Sequence, residues 1–195
     1  MTAIPGRKLW VLAGGNGAGK STFYNLYLAR HGITFVNADL IARDMSPGNP
    51  ETVSYEAATV ASKIRMDLIS QGSSFCFETV FSHESKIDFL SCAKARGYKI
   101  ILVYIHLAHS GLNEARVMQR ISEGGHSVPV DKIHSRIPRT IQLIKTALSL
   151  VDEARFLDNS LRSNPFQQIL TVKNGKFEIL QKPLPKWASD FLPGR

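Results

Sequence analysis

Two cysteines in 195 residues, Cys76 and Cys92, are too few for a disulfide framework or a thiolate metal cluster, and Cys76 sits inside an apolar run. A disulfide-stapled secreted scaffold is therefore excluded, and a reducing cytoplasm fits best. No apolar run approaches the length of a membrane span, and the opening MTAIPGRKLW lacks the basic-then-apolar order of a signal peptide, so no membrane association is expected. Tracts of consecutive basic residues are missing too, and the aromatics do not alternate with Lys and Arg as a stacking surface for single strands would. The chain is nevertheless basic, with 24 Lys and Arg against 16 Asp and Glu and a net charge of +8. That balance favours an anionic partner, either nucleotide phosphates or nucleic acid, and the missing basic tracts make nucleic acid the weaker of the two. Internal repeats, low-complexity segments and linkers are absent, so residues 1–195 read as one domain.

What is present is organised around GGNGAGKS, residues 14 to 21. Gly14, four residues, then Gly19-Lys20-Ser21 is the spacing of a phosphate-cradling loop, entered from the apolar run Leu9 to Ala13 and left through a helical pattern. Backbone N–H groups must curl around a phosphate without Cβ atoms in the way, which explains Gly14, Gly17 and Gly19. The nucleotide cradle is thus Gly14, Gly15, Asn16, Gly17, Ala18, Gly19, Lys20, Ser21 and Thr22. Lys20 is expected to reach the β and γ phosphates and Ser21 to offer its hydroxyl to Mg2+, with ATP or GTP as the nucleotide. No NKxD-like guanine-reading element stands in a suitable position, which weakens a GTPase reading.

Along the chain, residues 7–13, 33–37, 75–77 and 98–105 read as parallel strands, and the last of these, YKIILVYI, reads as central. Helical periodicity runs from the phosphate loop to about His31, through Val53, Ala57, Val60, Ala61, Ile64 and Leu68, and from His83 to Arg96. Asn49 is expected to cap the second of these helices, with Pro50 in its first turn. Crossover helices between parallel strands give an α/β fold with a mostly parallel central sheet covered on both faces. Residues 154–157 and 167–172 add strands, Asn174-Gly175 fits a hairpin turn, and Trp187, Phe191 and Leu192 are expected to dock the tail. A helical hairpin at 111–149 is interrupted by the loop 124–129, with His126 as a loop-positioning residue, and Pro138 is expected to kink or restart its second helix.

Candidate chemistry lies at the strand ends. Asp39 follows the second strand and Glu78-Thr79 ends the third, on the same sheet edge as the phosphate loop. Asp39 is expected to receive the proton of an acceptor hydroxyl and Glu78 to bind or orient the acceptor, while either carboxylate could hold magnesium through water. Arg116, Arg120, Arg136 and Arg139 are expected on one side of the hairpin, closing over the phosphates of a transferring phosphoryl group. This constellation suits a small kinase. The rival readings are a nucleic-acid end kinase or nucleic-acid-stimulated ATPase, and a nucleotide-binding regulatory protein with little turnover.

The segments GGNGAGKST, FVNADLIARDMSPGNPE, FCFETVFS, GGHSVP and LDNS, spread over about residues 9 to 159, resemble the short bacterial members of the zeta-toxin-like P-loop kinase family. The resemblance implies a three-layer P-loop kinase fold with an arginine-bearing helical lid. It also implies transfer of the γ phosphoryl group of ATP or GTP to a small-molecule acceptor, which in the toxin members is the sugar 3'-hydroxyl of UDP-N-acetylglucosamine. By motif, Lys20 and Ser21 match the nucleotide and magnesium residues, Asp39 the activating carboxylate, and Glu78 with Thr79 the acceptor-contacting ET pair. Arg120 and Arg136 match the phosphate-binding arginines of the catalytic set, with Arg116 and Arg139 beside them on the substrate. No antitoxin-like segment is recognised within the chain, so an antitoxin partner is left open.

Overall fold

Seven strands form one sheet in the order β2-β3-β1-β4-β5-β6-β7 in a computed structural model that describes residues 6–122 and 129–193. The strands are β1 Lys8–Ala13, β2 Thr34–Val36, β3 Phe75–Thr79, β4 Lys99–His106, β5 Glu153–Asp158, β6 Gln167–Lys173 and β7 Lys176–Ile179. The first five are parallel, and β6 and β7 close one edge as an antiparallel hairpin. Asn174 and Gly175 both take positive φ, 49° and 74°, as a two-residue turn between twisted strands requires. β4 is fourth of seven and buried along most of its length, as its uninterrupted apolar run predicts.

Alternation along β1 divides the core. Leu9, Val11 and Ala13 join Phe75, Phe77, Ile100 and Leu102 on one face, while Leu12 packs with Cys76 and Val103 on the other. The first face is covered by α3 Ser54–Gln71, α4 Ser85–Ala95 and the second half of α6 Val130–Ala147, and by Trp187 and Phe191 around the short α7 Lys186–Ser189. The second is covered by Phe23 and Leu28 of the helical segment that starts with α1 Lys20–Phe23. The tail therefore docks as expected, and the sheet is sandwiched between helical layers.

Local departures from periodicity have physical reasons. The helix after the phosphate loop is not regular: α1 passes into a π-helical stretch, Tyr24–Leu28, and a 3-10 turn, Ala29–His31. This widening buries Leu28 while leaving Leu26 and Tyr27 exposed. Asn49 makes no side-chain cap, because Pro50–Val53 form a 3-10 turn ahead of α3 and the Asn49 carbonyl accepts from Thr52 instead. The buried stripe of α3 is Ala57, Ala61, Arg65 and Ile69, and Val60 faces out. Pro138 neither ends nor restarts α6, which runs as one helix from Val130 to Ala147. Its N-terminal half meets α5 Ser110–Ser122 through Val117, Ile121 and Ile133, and its C-terminal half is anchored in the main core by Ile144 and Ala147. His126 lies outside the described residues. No helix among those described is long and apolar enough to cross a membrane.

Candidate active site

The sheet order creates the site. The chain leaves β1 in one direction to β2 and β3 and later returns past β1 to β4, so the connections diverge at the C-terminal ends of β1 and β3. That divergence opens a crevice at the strand ends, the usual ligand position in open α/β sheets. Paired register puts Leu12 opposite Glu78 and Ala13 opposite Thr79, so the phosphate loop and the ET pair emerge side by side.

Gly14 has φ 149°, and a Cβ there would lie 2.3 Å from the Ile105 carbonyl oxygen of β4. Gly14→Ala is expected to lower unfolding free energy by about 3 kcal/mol in urea denaturation, because a backbone atom cannot step aside as a side chain can. Gly19, at φ 99°, opens α1 in the left-handed region, and a Cβ there would meet Asn159 Nδ2 at 2.6 Å. The loop is braced from outside by two buried amides. Asn113 Nδ2 donates to the Asn16 carbonyl at 2.6 Å and Asn159 Nδ2 to the Ala18 carbonyl at 2.8 Å.

Inside the crevice, Lys20 is buried and its Nζ donates to the Gly15 carbonyl at 2.9 Å while lying 3.6 Å from Glu78 Oε1. Glu78 Oε2 accepts from the Ser21 hydroxyl at 2.5 Å and from Asn37 Nδ2 at 2.9 Å. Asn37 has a second task. Its Oδ1 accepts from the N–H of Asp39 at 2.8 Å, capping α2 Ala38–Met45 and fixing Asp39 in the first helical turn. Asp39 thus follows β2 in the first turn of a helix, and its half-buried carboxylate lines the cleft.

The cleft has a volume of about 650 Å³ and is lined by Asn16, Lys20, Asn37, Asp39, Glu51, Arg65, Glu78, Thr79, His83, Lys86, Lys132 and Arg136, among others. Thr79 Oγ1 accepts from the N–H of Phe81, whose fully buried ring holds a positive φ of 64°. Thr140 of α6 donates to the Val80 carbonyl at 2.9 Å, so the loop after β3 is clamped to the helix that carries Arg136. Such strain in a bulky residue persists only where its surroundings over-determine it.

The four expected arginines do not converge. Arg136 lines the cleft, but the exposed Arg139 folds back to the Ser135 carbonyl and hydroxyl on its own helix. Arg116 packs beside Gly17 and donates to the Asn159 carbonyl at 2.8 Å, outside the cleft lining; burial, with Arg162 nearby, lowers its pKa. Arg120 is half-buried on α5 and does not line the cleft either. Glu114 of α5 meets His134 of α6 at 3.1 Å. Asn37, Arg65, Lys86, Asn113, Thr140 and Asn159 are site or bracing residues that sequence reasoning missed. The available signal was an asparagine before the helix that carries Asp39.

The sequence model of the family described as Zeta toxin matches residues 5–162. An uncharacterized protein of Haemophilus influenzae is 31% identical over 137 residues, covering 67% of this chain and 97% of its own. Among solved structures, the complex of AvrRxo1-ORF1 and AvrRxo1-ORF2 with ATP superposes with TM-score 0.72 at 19% identity, over 90% of this chain and 61% of that one. The present chain thus spans less than two thirds of that protein. The PezAT toxin–antitoxin system of Streptococcus pneumoniae superposes with TM-score 0.65 at 13% identity, over 100% of this chain and 81% of the other. At these identities the structural likenesses establish the fold.

Proposed function

The chain belongs to the zeta toxin family within the P-loop kinase superfamily, and from that premise we propose that it transfers the γ phosphoryl group of Mg2+-bound ATP to a hydroxyl of a small metabolite, with UDP-N-acetylglucosamine as the first acceptor to test. The observation that carries this reading is the meeting of Lys20, Glu78 and Asp39 in one cleft, with the Ser21 hydroxyl bonded to Glu78, at the point where the strand connections diverge. The ATP in the complex of AvrRxo1-ORF1 and AvrRxo1-ORF2 lends the nucleotide further support.

The residues fit a triphosphate. The loop holds glycine where a Cβ would collide with the Ile105 carbonyl of β4 or with the bracing Asn113 and Asn159, and among the described residues the buried Asn16 Oδ1 has no hydrogen-bond partner. They fit magnesium as well, because the Ser21 hydroxyl and the Glu78 carboxylate are hard oxygen donors in contact with each other. When bound there, the ion neutralises charge on the β and γ phosphates. The contact with Ser21 supports assigning Glu78 to magnesium through water in preference to the acceptor role that the motif suggested.

The remaining chemistry belongs to the protein. Lys20 holds the phosphates, and Arg136 offsets charge on the transferring group from across the cleft. Asp39 orients the acceptor hydroxyl and takes its proton. An ordinary carboxylate suffices for this, because a loose transition state lets proton loss come late. The α5–α6 pair acts as the lid, hinged on the part of α6 rooted in the core. Arg116, Arg120 and Arg139 reach phosphate oxygens only after that pair moves.

The test is mass spectrometry of UDP-N-acetylglucosamine incubated with the protein, Mg2+ and ATP. The expected product carries one additional phosphoryl group. No gain would remove this acceptor and turn the search to other sugars, nucleosides and nucleic-acid ends.

A further inference from the structure

The face of the sheet turned away from α3 and α4 carries the helical segment that starts with α1, and beside that segment lies a second cavity of about 680 Å³. Mostly parallel sheets are ordinarily covered on both faces. Here Trp10, on the third of seven strands, is only partly buried and lines the cavity, whereas its neighbours Leu9 and Val11 are fully buried. Phe23, Tyr27 and Phe166 line it as well. The Phe166 ring meets Phe23 at 5.4 Å and Tyr27 at 5.9 Å between centroids, both edge to face.

Two of these rings are presented by unusual backbone. Tyr27 belongs to the π-helical stretch Tyr24–Leu28, and Phe166 holds a positive φ of 56°. π turns are frequent at functional sites, and bulky residues in the left-handed region cluster at ligand clamps because the strain must be held by their surroundings. Neither residue lines the cleft of the candidate active site.

The cavity is also basic. Lys8, Arg30 and Arg155 line it, and no carboxylate does among the described residues. Lys8 and Arg30 form no salt bridge among those residues, and Arg30 Nε donates to His31 Nε2 at 3.3 Å, an acceptor without negative charge. Arg155 gives its Nε to Glu153 at 2.6 Å and holds its guanidinium carbon 5.5 Å from the Trp10 ring centroid. Aromatic walls receive a planar ring, and unpaired cations at their rim receive an anion. The volume falls in the range of small-molecule sites, roughly 300–1,000 Å³. A second copy of the chain is the wrong occupant, because a two-fold contact across this face would bring two basic surfaces together.

We infer that this cavity is a second ligand site, separate from the candidate active site, and that it takes a small molecule joining a planar aromatic ring to an anionic group. The ring lies against Trp10 and Tyr27, and Lys8 and Arg30 hold the anion. The site stands whether or not the chain transfers phosphoryl groups.

The test uses the full chain carrying Trp187→Phe, which leaves Trp10 as its one tryptophan, saturated with Mg2+ and a non-hydrolysable ATP analogue to fill the triphosphate site. AMP is the probe, with adenosine and inorganic phosphate as its separate halves. AMP is expected to bind and to change Trp10 emission, with each half binding at least about 10-fold more weakly. Lys8→Gln combined with Arg30→Gln, both at exposed positions where folding is not at risk, should weaken AMP on the order of 10- to 100-fold. Tyr27→Ala should weaken it about 10-fold, and Tyr27→Phe should bind as wild type because the ring remains. No AMP binding, binding that leaves Trp10 emission unchanged, or equal affinity in the Lys8 and Arg30 double variant would overturn the site. Adenosine or phosphate binding as tightly as AMP would overturn the joined ring and anion. Self-association that buries Trp10 and excludes AMP would make this face an interface between copies and overturn the ligand site as well.

Discussion

Asp39→Asn is expected to bind ATP within about threefold of wild type and to transfer its γ phosphoryl group on the order of 10²- to 10⁴-fold more slowly. The substitution suits the site. The backbone N–H of Asp39 is what bonds to Asn37, so the cap of α2 survives, and an amide fills the space of the carboxylate. The side chain itself has no hydrogen-bond partner among the described residues and faces the cleft, so little else depends on its charge. One secondary cost is expected. A negative charge in the first turn of a helix stabilises it by about 0.3–1 kcal/mol, so the melting temperature should fall by only a few degrees. Nucleotide titration, melting and mass-spectrometric turnover on one preparation separate these effects. Unchanged transfer in the variant would end the assignment of Asp39 as the base and shift the role to another carboxylate of the cleft, with Glu51 and Glu78 the candidates.

The parts of this site that were legible in the sequence are those where backbone geometry restricts composition. The phosphate loop requires glycine because an added Cβ at Gly14 would meet a backbone carbonyl of β4, and Asn174-Gly175 accepts two positive φ values in succession. β4 was legible because a strand buried on both faces reads as an unbroken apolar run. Arg65 was not. At its position on a helix, a lone arginine is indistinguishable in sequence from a solvated charge, and only the packing of Phe77 and Phe89 against it shows that the stripe of Ala57 and Ala61 continues through a cation.

The arginine cluster failed for a related reason. Spacing puts Arg136 and Arg139 on one helical face, but the long side chain of Arg139 turns toward the preceding turn and finds Ser135. The bracing amides, Asn113 and Asn159, come from elements far from the loop in sequence, so no local pattern could announce them. Glu78 illustrates the middle case. Its strand and its proximity to the phosphate loop followed from the pattern, whereas its choice of Ser21, Lys20 and Asn37 as partners required the fold.

Lys20→Ala is expected to weaken ATP on the order of 10²- to 10³-fold and to lower kcat/KM further, because the ammonium makes charge-assisted hydrogen bonds of about 1.5–3 kcal/mol each to phosphate oxygens. The structure adds a consequence that nucleotide binding alone does not predict. Lys20 is 5% exposed and is the cation beside Glu78, whose side chain is 12% exposed. Removing one partner of a buried pair strands the other, although Ser21 and Asn37 still donate to Glu78. The expected loss is therefore about 1–3 kcal/mol of unfolding free energy, below that of an entirely orphaned charge. Glu78→Gln in the Lys20→Ala background should recover much of that stability, because a neutral amide needs no cation, and should recover none of the ATP affinity. A double-mutant cycle read by urea denaturation and by nucleotide titration distinguishes the two roles. Stability unchanged by Lys20→Ala would mean that Glu78 is held by its hydrogen bonds alone. ATP affinity unchanged would remove the loop from triphosphate binding and, with it, the premise on which Asp39 was given a proton to accept.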